Sequence, residues 1–127
     1  NLSLEAKMTD DERKYMEDNG WIIERQRQKF ITYKGLIWLA HRQGLCYLSI
    51  EPIKEDYEKG VFVFRAHAKA RLNDTLIEVF EEGDATPKNV SKMILPHIRR
   101  MAQTRAKARA LRDLTGVGLT AFEEIAD

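Results

Sequence analysis

Arg105, Arg109 and Arg112 sit at positions i, i+4 and i+7, a spacing that places three guanidinium groups on one stripe of a helix. Each planar fork can hold two oxygens of a phosphate or a carboxylate. Three cations side by side repel unless an anion answers them. The answer is either a polyanion or protein acids, with Glu78, Glu81, Glu82 or a neighbouring subunit as the protein candidates. Arg100 and Lys107 lie on the same segment. Arg65, His67, Lys69 and Arg71 alternate with Ala66, Ala68 and Ala70, which on a strand makes a basic ridge opposite an apolar face. An ordinary solvated sheet face explains that ridge equally well. Lys29, Lys34 and Arg42 flank Tyr33 and Trp38. An aromatic beside a cation can stack on an unpaired base. Tyr33 is open to that role, whereas Trp38 suits core packing better.

Other chemistries find little support. His41, His67, His97 and Cys46 have no ligand-like spacing, and Ser49 and Ser91 lack the context of a nucleophile. Cys46 reads as a small buried hydrophobe on a strand. No phosphate-binding Gly-Lys loop occurs, so ATP-driven work through such a loop is not expected. The residues point to a binding protein without a cofactor or metal, and not to an enzyme.

The charge distribution strengthens the polyanion reading. The chain has 127 residues, 21 Lys+Arg against 20 Asp+Glu, and a net charge of +1. That balance hides alternating blocks: residues 1–24, 51–84 and 113–127 each carry −4, residues 25–50 carry +5, and residues 85–112 carry +8 with no acid. An acid-free basic run in a chain so rich in acids is the footprint expected for nucleic acid. The hydrophobic fraction of 43% is enough for a packed core. No apolar run reaches the ~18 residues of a membrane helix. No secretory signal pattern opens the chain, which begins at Asn1 and so leaves a preceding segment open. A cytoplasmic, nucleoid-associated protein is expected.

These residues need elements to position them. Residues 3–18 read as a helix capped by Ser3 or Thr9, and Trp21-Ile22-Ile23 as a short strand or packing foot. Residues 29–43 read as an amphipathic helix stopped by Gly44, and 45–54 as a strand. Residues 61–72 are the clearest strand, turned by Asn73-Asp74 into a partner at 75–82. Gly83-Asp84-Ala85 reads as a loop and Thr86-Pro87 as the start of a long helix to Leu114, kinked or restarted at Pro96. Ala102, Ala106 and Ala110 form the stripe on which that helix approaches the sheet. The expected fold is α+β: a helix, a three-stranded antiparallel sheet with a β-hairpin core, and a long C-terminal helix packed on the sheet. It is one domain, with an acidic helical segment at 1–24, a core at 29–116 and an acidic arm or final helix at 117–127.

The run from Arg99 to Arg112 resembles the last helix of the Rad-fifty-two family of single-strand annealing proteins. Arg99-Arg100, Ala102, Thr104 and Arg109-Ala110-Leu111-Arg112 match in register, with Gly116 or Gly118 following. The upstream strand, Asn73-Asp74 turn, second strand and Gly83-Asp84 are also similar, and the ending resembles microbial and phage relatives. The likeness spans about residues 30–118, and its specific part is the last helix. It implies homo-oligomers, commonly rings, that hold single-stranded DNA in a basic groove with backbone inward and bases outward. It places backbone contacts at Arg109 and Arg112, and a further basic position near Lys34. The Lys that usually precedes Arg109 is Ala108 here, so Arg105 or Lys107 would substitute. A single-strand-binding protein or a recombinase is a further partner of such proteins. No recombinase-binding tail is evident, which favours a minimal annealing module for recombination and repair.

The expected DNA-binding set is therefore Arg105, Arg109, Arg112, Lys107, Arg100, Lys34, Arg65, Lys69, Arg71 and Tyr33. On this reading Arg109→Ala with Arg112→Ala weakens binding and leaves the fold intact. Two alternatives stand beside it: an RNA- or duplex-binding module, or an assembly domain in which the Arg stripe meets acids such as Glu123 and Glu124 of a neighbour.

Overall fold

The structure, a computed structural model, describes residues 8–125. Its first helix, α1 (Asp10–Asp18), starts at Thr9, whose hydroxyl accepts from the Glu12 amide at 3.1 Å while the Glu12 carboxylate accepts from the Thr9 amide at 2.8 Å. This reciprocal pair satisfies two amides that helix geometry leaves free. Asp10, Asp11 and Glu12 add negative charge at the positive end of the helix dipole. Ser3, the other candidate cap, lies outside the described residues.

Strands β1 (Ile22–Arg25) and β2 (Gln28–Ile31) form a hairpin in which Ile22 pairs with Ile31 and Arg25 with Gln28. The turn residues Gln26 and Arg27 have φ of 51° and 66°. This corrects the helix expected from residue 29. The segment first extends as β2, then Thr32 caps α2 (Tyr33–Arg42) by accepting from the Gly35 amide at 3.2 Å. Leu36, Leu39 and Ala40 of α2 are buried.

The main sheet has order β3-β4-β5, all antiparallel: β3 (Leu45–Asp56), β4 (Val61–Leu72) and β5 (Thr75–Ala85). Asn73 and Asp74 turn the β4–β5 hairpin with φ of 50° and 65°. Phe62, Phe64, Ala66, Ala68 and Ala70 are buried, as the alternation of β4 requires. Cys46 is exposed, contrary to expectation, because a register shift between Leu45 and Tyr47 leaves it out of the ladder.

β5 runs through Gly83-Asp84-Ala85, where a loop was expected. Gly83 pairs with Phe64, and a β-carbon there would lie 2.1 Å from the Ala106 amide nitrogen. The strand and the last helix touch backbone to backbone at this point. The chain then stays irregular through residues 86–94 and makes a single tight turn, Leu95–His97, before α3 (Ile98–Thr115). Pro96 therefore precedes the helix and starts it, where its fixed φ and missing amide cost little. The helix expected from Thr86 does not form. Ala102, Ala106 and Ala110 are fully buried against the sheet, and Gly116 ends α3 with φ of 65°.

Beyond Gly116 the chain is not a free arm. β6 (Thr120–Ala121) pairs in parallel with Phe30 and Ile31, making a second sheet of order β1-β2-β6 that the sequence reading lacks. Ala121 is fully buried, and a tight turn at Phe122–Glu124 follows.

Candidate nucleic-acid interface

The structure divides the basic residues between two sides of α3. Arg105, Arg109 and Arg112 share one stripe, as the spacing requires, and this chain's own acids and carbonyls answer them. Arg105 is 6% exposed. Its Nε donates to the Glu124 carbonyl at 3.0 Å, and its two terminal nitrogens reach the Asp84 carbonyl and both the side chain and carbonyl of Asn89, each at 2.9 Å. Burial, and then the neighbouring Arg109, lower its pKa from the ordinary value. Arg105 is thus a clamp between β5, the 86–94 segment and the tail, and the expectation that it contacts a backbone phosphate is corrected by that burial.

Arg112 donates to both oxygens of the Glu124 carboxylate at 2.9 Å. Arg109 lies 3.4 Å from Glu124, 3.4 Å from Asp84, and donates to the Glu82 carbonyl at 3.1 Å. The Glu124 carboxylate is buried and also accepts from the Ala121 amide at 3.1 Å. A neighbour's Glu124 was one expected partner for this stripe; the Glu124 of the same chain fills that place. Arg109 and Arg112 retain about a third of their side-chain exposure. Their removal would leave a buried carboxylate unpaired, so Arg109→Ala with Arg112→Ala is expected to cost stability as well as any binding.

The ridge on the outer face of β4 is matched across the strands. Arg65 pairs with Glu82 at 3.1 Å, His67 with Glu78, and Lys69 lies 4.0 Å from Glu78. Arg71 is exposed and makes no ion pair among the described residues. The ridge is largely a neutralised sheet face.

The other side of α3 is different. Arg100 is exposed, and Lys107 lies two turns further along the same face, with Thr104 between them. The Lys107 ammonium sits 5.5 Å from the centre of the Tyr33 ring, and the adjacent Lys34, exposed at the start of α2, lies 5.7 Å from the Trp21 ring. None of the three cations has an acidic partner within 4.0 Å among the described residues. The Tyr33 amide donates to the Glu123 carboxylate at 2.7 Å, which joins the tail to the first turn of α2. Burial, and then Glu123, raise the pKa of the Tyr33 phenol. Four of the ten candidate residues, Arg100, Lys107, Tyr33 and Lys34, thus form one cationic and aromatic strip between α3 and α2.

Trp38 belongs to a packing cluster, 5.0 Å from Tyr15 and 5.7 Å from Trp21 between ring centres. The sequence offered Glu123 and Glu124 only as acids of a neighbour, and it did not point to Asn89. The one signal for them was the block of acids that follows the basic run. Among the described residues no three His, Cys, Asp or Glu side chains gather to hold a metal ion, and no helix is long and apolar enough to cross a membrane.

The fold and strip define a small α+β domain with an open basic surface beside an aromatic. A scan against models of protein families finds no match to this chain, and a search of curated proteins finds none either.

Proposed function

We propose that this protein binds single-stranded DNA along the Arg100–Lys107–Tyr33–Lys34 strip and anneals complementary strands without ATP. The observation that carries the reading is a set of three cations without acidic partners among the described residues: Arg100 and Lys107 on one face of α3, with Lys107 over the Tyr33 ring, and Lys34 beside Tyr33 on α2 and over the Trp21 ring. Cations without acidic partners release counterions when phosphates replace them, which drives sequence-tolerant binding. Tyr33 offers a stacking surface at the middle of the strip. Annealing needs only that the backbone repulsion of two strands be neutralised and that bases stay free to pair; pairing then supplies the free energy. The likeness of Arg99–Arg112 to the last helix of the Rad-fifty-two family supports the same reading and adds homo-oligomeric assembly, with a single-strand-binding protein or recombinase as further partners and a nucleoid location.

The test is an annealing assay with two complementary labelled oligonucleotides, without ATP or metal, on the wild type and on Arg100→Ala with Lys107→Ala. Acceleration by the wild type and its loss in the variant are expected. Acceleration by neither protein, with no single-strand affinity, overturns the proposal. Tighter binding of duplex DNA or RNA than of single-stranded DNA moves the surface to the other nucleic-acid class.

A further inference from the structure

Beside the strip, a cavity of about 270 Å³ opens between the start of α3 and the tail. Ile94, Met101, Phe122 and Ile125 form its apolar walls, and His97, Arg100, Thr104 and Glu123 supply polar groups. Two of these residues belong to or touch the strip: Arg100 is its first cation, and Glu123 is bonded to the Tyr33 amide at 2.7 Å. That bond uses Oε1 of Glu123 and leaves Oε2 to accept from something else.

Concave, mostly apolar sites with a few convergent polar groups are where small planar ligands bind, at volumes of about 300–1,000 Å³ for larger molecules. A cavity just below that range fits one ring system. Its polar groups select among ring systems. A carboxylate accepts from an exocyclic amine, as on cytosine, and Arg donates to the carbonyl and ring nitrogen acceptors of bases. Thymine has no exocyclic amine. The apolar walls supply stacking and dispersion contacts, and Arg100 at the rim holds the adjoining phosphate.

We infer that this cavity takes a single unpaired nucleobase carrying an exocyclic amine, turned in from a strand whose backbone lies on the Arg100–Lys107 strip. The inference rests on the function proposed above and adds a base preference to a surface that otherwise reads only phosphate. A strand bound this way keeps most bases free to pair while one base per protomer anchors it.

The experiment compares the affinities of 12-nucleotide (dC), (dA), (dT) and fully abasic strands for the wild type, Thr104→Phe, which fills the cavity, and Glu123→Gln, which keeps an acceptor for the Tyr33 amide. One stacked base is worth a factor of about ten in affinity. The wild type should bind (dC) and (dA) about ten times tighter than the abasic strand, and (dT) should fall between. Thr104→Phe should abolish the advantage of bases and leave abasic binding unchanged. Glu123→Gln should bring (dC) and (dA) down to (dT) while leaving (dT) unchanged. Equal affinities for all four strands, still lowered by Arg100→Ala with Lys107→Ala, would overturn the pocket and keep the strip. No affinity for any strand would overturn both. A changed sedimentation coefficient of Thr104→Phe without DNA, with base preference intact, would reassign the cavity to a protein contact. Thermal melting confirms that each variant is folded.

Discussion

Arg105 shows what a single residue does here. A charged group 6% exposed survives only because its N–H donors find acceptors, and four bonds to Glu124, Asp84 and Asn89 are in place. Arg105→Ala should cost about 2–4 kcal/mol, since it takes the donor from three backbone carbonyls, that of buried Glu124 among them. Urea unfolding checks this, and an unchanged midpoint would refute the clamp. Glu81 carries a second residue-scale prediction. Its carboxyl is pushed up to about 7, chiefly by the hydrogen bond with Asp113 and then by burial. A group whose folded pKa exceeds its unfolded value stabilises fully below the unfolded pKa, and that stability is lost as pH rises through the folded value. The contribution is therefore present near pH 4 and gone above about 7. Melting temperatures between pH 5 and 8 should fall in the wild type and fall less in Glu81→Gln. The Arg stripe was visible as a spacing, but spacing does not say which anion answers it. Glu124 lies twelve residues past Arg112 and reaches it only because the tail folds back through β6.

At the scale of elements, legibility followed how local the cause was. β4 and its Asn73-Asp74 turn were readable because alternation and positive-φ preference act over neighbouring residues. The β1–β2 hairpin was not, because Gln26 and Arg27 are not the residue types that announce such a turn. The false helix start at Thr86-Pro87 had good local chemistry. What overrides it is tertiary: Asn89 is held by Asp84 at 3.0 Å and by Arg105 at 2.9 Å. Gly83 likewise read as a loop glycine, whereas its role is contact distance. Its missing side chain lets the Ala102–Ala106–Ala110 stripe of α3 sit against β5. Gly83→Ala would drive a methyl into the Ala106 backbone, and helix and strand can relieve that only by separating. A loss of about 3 kcal/mol or more is expected by analogy with overpacked cores. Because the clash is with backbone on both sides, Gly83→Ser should be as damaging. A tolerated alanine, measured by thermal melting, would mean that α3 can slide along the sheet.

For the whole molecule, the decisive feature is that the fold answers five of the nine basic candidates, Arg65, Lys69, Arg105, Arg109 and Arg112, with its own acids and carbonyls. The acidic blocks at 51–84 and 113–127 supply Asp84, Glu78, Glu82 and Glu124 to the basic residues of β4 and α3. Charge counting along the chain therefore overstates the surface open to a polyanion. Among the described residues, four of the nine have no acidic partner: Arg71 on β4, and the three cations of the strip, Arg100, Lys107 and Lys34. This turns the function into a quantity. Each phosphate neutralised on a single strand contributes about −0.7 to the slope of log affinity against log salt. Three cations predict a slope of about −2 per protomer, whereas all nine basic members of the expected set would give about −6. Fluorescence anisotropy of a labelled oligonucleotide over a tenfold range of salt separates these values. A slope near −2 whose magnitude falls by about 0.7 in Lys107→Ala places the backbone on the strip. A slope near −6 would mean that phosphates displace Glu124 and Asp84 from the Arg stripe, and the tail would then have to lift when DNA binds.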